Sequence, residues 1–105
     1  MSNGEIPVRK VAESPLAFAI RDINPRAPVH LLIIPNEHIP TAADISAGHG
    51  PILAEMFALA ASAARLEGVA ERGYRLAFNV GDDAGMTIPH LHLHLLGGRP
   101  LGPEG

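Results

Sequence analysis

Between Pro89 and Leu96 the chain reads Pro-His-Leu-His-Leu-His-Leu-Leu, three histidines in strict alternation with leucines. Successive side chains of an extended strand point to opposite faces. Such a strand carries His90, His92 and His94 on one face and Leu91, Leu93 and Leu95 on the other. Tyr74, Leu76, Phe78 and Val80 alternate in the same way, which leaves Asn79 on the imidazole side of its own strand. A sheet with one apolar face and one face of imidazoles needs a cover on the first and places a site on the second.

The cover is legible downstream of Gly50-Pro51, where proline takes a permitted first position of a helix. Ile52, Leu53, Met56, Phe57, Ala60, Ala63, Ala64 and Leu66 recur at helical spacing, while Glu55, Ser62 and Arg65 mark the opposite face. The Met56-Phe57 pair reads as core, and Gly68 as the stop. Strands are expected at Val8–Glu13, Leu16–Asp22, Val29–Ile34, Tyr74–Val80 and Ile88–Leu96. On the second of these Leu16, Phe18, Ile20 and Asp22 share a face. Pro35 stops the third, and Pro89 should interrupt the ladder of the last because it has no backbone N–H. Gly81 to Gly85 reads as a hairpin loop, since the spacing and lysine of a phosphate-binding loop are missing. His38 and His49 fall in connecting segments and read as surface residues. Strands on both sides of one long helix, joined by short connections, predict an α+β domain with a five-stranded antiparallel sheet. Its 105 residues suit a single domain spanning the whole chain.

Composition narrows the function. Six histidines stand beside one tyrosine, three phenylalanines and no tryptophan, so the core must be aliphatic. The chain has no cysteine, which excludes disulfides, thiolate-ligated zinc and a thiol nucleophile, and fits a reducing compartment. The net charge is −3 and the basic residues do not cluster in the sequence, so no nucleic-acid partner is expected. Leu31–Ile34, the longest aliphatic run, is far too short to span a bilayer, and Met1–Lys10 lacks a signal-peptide core. A cytoplasmic protein without a membrane partner is the expectation.

Three imidazoles on one face need partners for their polar atoms, so a purely structural row is costly. Two chemistries suit them. Imidazole binds metals, but positions i and i+4 of a strand lie roughly 13 Å apart, so an ion would have to use two of the three plus His30 or a carboxylate. Alternatively the row lies along a phosphate. An imidazole with a pKa of about 6.5 is a neutral nucleophile at pH 7, and this chemistry requires neither metal nor cofactor.

The run His90–Leu96 matches the signature of the histidine-triad (HIT) family, and the chain resembles that family well beyond it. Asp22-Ile23-Asn24-Pro25-Arg26-Ala27-Pro28-Val29-His30 and the following Leu31–Ile39 are similar to its segment around a further histidine. Gly73-Tyr74-Arg75, Asn79 and Leu96-Gly97-Gly98-Arg99 are similar to the stretches flanking the triad. The resemblance covers Glu5 to Arg99 and is nearest to the Hint branch, small dimeric nucleoside phosphoramidases.

It implies a HIT-like fold, a homodimer, and hydrolysis of purine nucleoside monophosphoramidates or related nucleotidyl conjugates through a nucleotidyl-histidine intermediate. His92 would attack the α-phosphorus and His94 would bond the phosphate. His90 and His30 would complete the network that orients His92. Asn79 would donate to a phosphate oxygen, and Thr87 would stand near the leaving group. Asp22 would accept from the ribose, and Ile20 and Ile23 would line the base. Asp22 could equally cap the turn at Asn24-Pro25, and Thr87 could be an ordinary strand residue.

The chain departs from the family pattern in several places. It starts almost at Glu5-Ile6-Pro7, so the N-terminal helix that contributes to the base pocket is expected to be absent. Met86 replaces a glutamine, and its thioether cannot donate a hydrogen bond. Pro89 stands where other members often have an aromatic residue, and the tail lacks the aromatic residue used near the site. A nucleotide-binding module with little turnover, or a metal-dependent hydrolase, are the alternatives.

Overall fold

A computed structural model describes residues 9–86 and 88–103. In chain order the elements are β1 (Lys10–Glu13), β2 (Ala17–Arg21), β3 (Val29–Pro35), α1 (Gly50–Leu66), β4 (Tyr74–Ala77) and β5 (Leu93–Gly97). They form one five-stranded sheet in the order β1-β2-β3-β5-β4, antiparallel at every pairing. The chain leaves the sheet after β3, crosses one face as α1, returns at the edge as β4 and inserts β5 between them.

Alternation decides which face α1 covers. Ala17, Ala19, Leu31, Ile33, Leu93 and Leu95 point to the helix and bury against Met56, Leu59, Ala60, Ala63 and Ala64. The three alanines bring the helix close to the sheet. Fully burying each leucine or isoleucine is worth about 1.5–3 kcal/mol. The intervening residues of β2 and β3 are also buried: Phe18, Ile20 and Ile34 form a second cluster on the far face, with Leu32 against it. That far face also carries His30 and His94. Glu67 and Gly68 close the helix, Gly68 taking the left-handed φ of 77° that favours glycine.

The α+β class, the strand count and the helix agree with the sequence reading, whereas several boundaries and faces do not. The last strand begins at Leu93 and not Ile88, so His90 and His92 stand outside the ladder. Pro89 offers no N–H, and β3 has spent its last pairings, at Ile34 and Pro35, on β2 alone. The fourth strand stops at Ala77 instead of Val80, and Val80 is exposed. The first two strands are shorter than expected at their ends, and Val8 lies outside the described residues. Met56 is buried as expected, but Phe57 is exposed, its ring edge-on to Phe78 at 6.2 Å. Leu66 is also exposed. Glu55 does not face solvent freely; its Oε2 accepts from Ser14 Oγ and the backbone N–H of Leu16, each at 2.6 Å. The segment between β3 and α1 contains two 3₁₀ turns, Ala42–Asp44 and Ala47–His49. No helix among the described residues is long and apolar enough to cross a membrane.

Candidate active site

His92 sits on the irregular stretch immediately before β5. Its Nδ1 lies 2.7 Å from the carbonyl oxygen of His90. A carbonyl only accepts, so Nδ1 carries the proton, and in the neutral ring the lone pair is on Nε2. The backbone thus fixes which nitrogen of His92 holds a free lone pair.

A second chain of bonds runs through the adjacent strand. His30, on β3, has a fully buried side chain. Its Nδ1 accepts from the backbone N–H of Arg26 at 3.1 Å, so its proton must be on Nε2. That Nε2 faces His94 Nδ1 at 3.0 Å and Asp22 Oδ2 at 3.3 Å. His94 Nδ1 therefore accepts, and His94 Nε2 carries a proton. Asn79 Nδ2 lies 3.3 Å from His94 Nε2. Two N–H groups cannot bond each other, so with this tautomer the contact is a hydrogen bond only with the Asn79 amide turned to present Oδ1 to the His94 Nε2–H.

Electrostatics keeps this pair neutral. Burial, partly opposed by the nearby Asp22 carboxylate, lowers the pKa of His30. Burial, then the neighbouring His92, His30 and Arg26, pushes His94 down to about 4 against the pull of Asp22. At neutral pH both rings are uncharged, as the deduced tautomers require. Among the described residues no buried side-chain nitrogen or oxygen lacks a hydrogen-bond partner.

The residues singled out in the sequence converge unevenly. His92 and His94 stand edge to face with centroids 5.0 Å apart. His30 supports His94 and not His92, and His90 reaches His92 through its carbonyl and not its ring. The His90 ring turns away: its Nε2–H donates to the Pro35 carbonyl at 3.2 Å, and its Nδ1 meets His38 Nδ1 at 3.1 Å. His38 is exposed, as expected of a surface residue, yet its ring also reaches His90, and a contact spanning 52 positions leaves no local signal. Asp22 caps the turn through Oδ1, which accepts from the Asn24 N–H at 2.9 Å, and turns Oδ2 to His30. Ile20 is buried in the apolar cluster of the same face, whereas Ile23 is 91% exposed. Thr87 lies outside the described residues. His49 is half-buried, with Nδ1 accepting from the Ser46 N–H.

A cavity of ≈ 510 Å³ meets this face at His94 and Asn79, and Arg26, Arg75 and Arg99 also line it. Among the described residues none of the three arginines is ion-paired with a carboxylate. Asp83 lines the cavity too, but the three arginines outnumber it, so positive side chains predominate beside His94 and Asn79 in a chain of net charge −3.

Asp22, His30 and His94 also bring three ligand-type atoms within 4.8 Å of one another. An ion there would need the lone pair of His30 Nε2 and a proton on Nδ1, yet Nδ1 faces the Arg26 N–H. The cluster is wired to pass hydrogen bonds and does not fit a metal.

Fold and site together define an α+β domain whose open sheet face presents an oriented imidazole beside the hydrogen-bonded His94–Asn79 pair. The chain belongs to the HIT domain family, whose model matches residues 3–101. It is 52% identical over 99 residues to the purine nucleoside phosphoramidase of Escherichia coli K12, covering 94% of this chain and 83% of that one. The structure is similar to a HIT family hydrolase from Legionella pneumophila, with a TM-score of 0.93 and 46% identity over 97% of this chain and 91% of that one. A HIT family hydrolase from Clostridium thermocellum gives 0.91 and 47% over 95% and 87%.

Proposed function

We propose that this HIT-family hydrolase cleaves the P–N bond of purine nucleoside monophosphoramidates, or the equivalent bond of related nucleotidyl conjugates, through a nucleotide carried on His92. The observation that carries the reading is the hydrogen bond from His92 Nδ1 to the His90 carbonyl, which leaves the lone pair on Nε2. The purine nucleoside phosphoramidase that is similar over most of the chain supports the substrate class.

In the first step His92 Nε2 attacks the α-phosphorus, a P–Nε2 bond forms and the P–N bond to the leaving group breaks. The amine departs with a proton taken from solvent. The ring becomes cationic, and its Nδ1–H bond to the His90 carbonyl strengthens. Charge on the phosphoryl oxygens is met by His94 Nε2–H and Asn79. Water then attacks phosphorus and gives up a proton to solvent, the P–Nε2 bond breaks with its electron pair returning to Nε2, and the nucleoside monophosphate leaves His92 neutral again. Ile20, with the apolar cluster around it, and Ile23 would take the base. Asp22 would accept from the ribose while it keeps its turn contact, and Thr87 would stand by the leaving group. No metal, cofactor, nucleic acid or membrane enters this chemistry, and we place it in the cytoplasm, in a homodimer.

The test is mass spectrometry of reactions quenched in alkali, alongside turnover of adenosine 5′-phosphoramidate. The wild type should gain the mass of one nucleotidyl group. His92→Ala should gain none and lose more than about 10³-fold in kcat. Undiminished turnover in that variant, or a wild type that hydrolyses substrate without ever carrying the adduct, overturns the proposal.

A further inference from the structure

The nucleophile is anchored to a carbonyl that the sheet does not hold. The peptide of His90 precedes the first ladder residue of β5, and Pro89 beside it has no N–H to give. What fixes this carbonyl comes from the end of β3 and the turn that follows it. The Leu91 N–H donates to the Ile39 carbonyl at 2.6 Å, and His90 Nε2–H donates to Pro35. The third contact is the His38–His90 pair, with rings edge to face at 4.9 Å.

The direction of that third bond can be deduced. His90 Nε2 is committed as a donor to a carbonyl, so Nδ1 of the neutral ring holds a lone pair. Only a donor satisfies it, and the atom facing it is His38 Nδ1, which must carry its proton. His38 thus locks both the tautomer and the rotation of the His90 ring. That ring holds the peptide whose oxygen selects the tautomer of His92.

We infer that His38 is a positioning residue for the nucleophile, acting through the ring and then the carbonyl of His90. The inference rests on the reading of His92 as nucleophile but can be measured without turnover. Ring ¹⁵N–¹H correlation spectra of the full chain should show His90 protonated on Nε2 and His92 on Nδ1. His38→Leu removes the donor. It should release His90 into a mixture of tautomers, raise the Nε2–H fraction of His92, and lower kcat about three- to tenfold with KM unchanged. His38→Asn returns an N–H near the position of Nδ1 and should restore both readouts, which a merely space-filling residue would not require.

A wild-type His90 protonated on Nδ1 overturns the inference. So does a His38→Leu protein whose His92 spectrum and kcat match the wild type, or a His38→Asn protein that behaves as His38→Leu does. A wild type that fails to turn over phosphoramidates while showing these tautomers, with the His38→Leu shift, removes the proposed function and leaves the positioning role standing.

Discussion

His94 is a histidine kept neutral by its surroundings, and this ties the integrity of the site to pH. Its folded-state pKa of about 4 lies below the value of about 6.5 expected when unfolded. Between those two values the unfolded chain binds more protons than the folded one. Stability therefore falls as pH drops from about 6.5 toward 4, by up to about 3 kcal/mol from this group, with His30 acting in the same direction. Urea midpoints should decline over that window in the wild type, and His94→Gln should flatten the decline; an unchanged slope would show that His94 titrates normally in the fold. The individual histidines of the triad could be read from their alternation with leucine. Their partners could not, because tautomers depend on groups contributed by distant stretches: His30 for His94, and Pro35 and His38 for His90.

At the level of elements, the same side-chain alternation extends over a longer stretch than the hydrogen bonding does. Leu91 buries in the core like Leu93 and Leu95, yet only the latter two pair with β3. Interruption of the ladder lets the backbone carrying His90 and His92 fold back on itself, so that a carbonyl becomes available to a ring two residues on. Two contacts fix how the elements meet. Glu55 ties α1 to the connection between β1 and β2, and Glu55→Ala should cost about 1–3 kcal/mol in urea unfolding by removing two hydrogen bonds to a charged acceptor. At the end of β5, Gly98 has a φ of 93°, and a Cβ there would stand 2.9 Å from Pro28 Cβ. Gly98→Ala should destabilise by about 1–3 kcal/mol, from backbone strain and from pressing on the loop that precedes His30. A loss below about 0.5 kcal/mol in either variant would contradict the role given to the contact.

For the whole molecule, the sheet order leaves β4 at an edge with one side unpaired, and the helix leaves Phe57 and Leu66 exposed. Phe57 meets Phe78, which follows β4, so these two rings adjoin that edge, whereas Leu66, nine residues on, lies on the opposite side of the helix. A second copy docking here would cover the two rings and the edge, consistent with the proposed homodimer. Light scattering should give twice the chain mass for the wild type and a monomer for Phe57→Glu; a monomeric wild type at micromolar concentration would refute the pairing. The class of fold and the triad are legible in the order of residues alone. Period-two and period-3.6 patterns are local, and they state which side of each element is apolar without reference to anything else. Where the ladder stops, which imidazole supports which, and that His38 meets His90 emerge only once the chain is folded. Those outcomes depend on groups far apart in the chain arriving within hydrogen-bond distance, and a one-dimensional pattern carries no record of that approach.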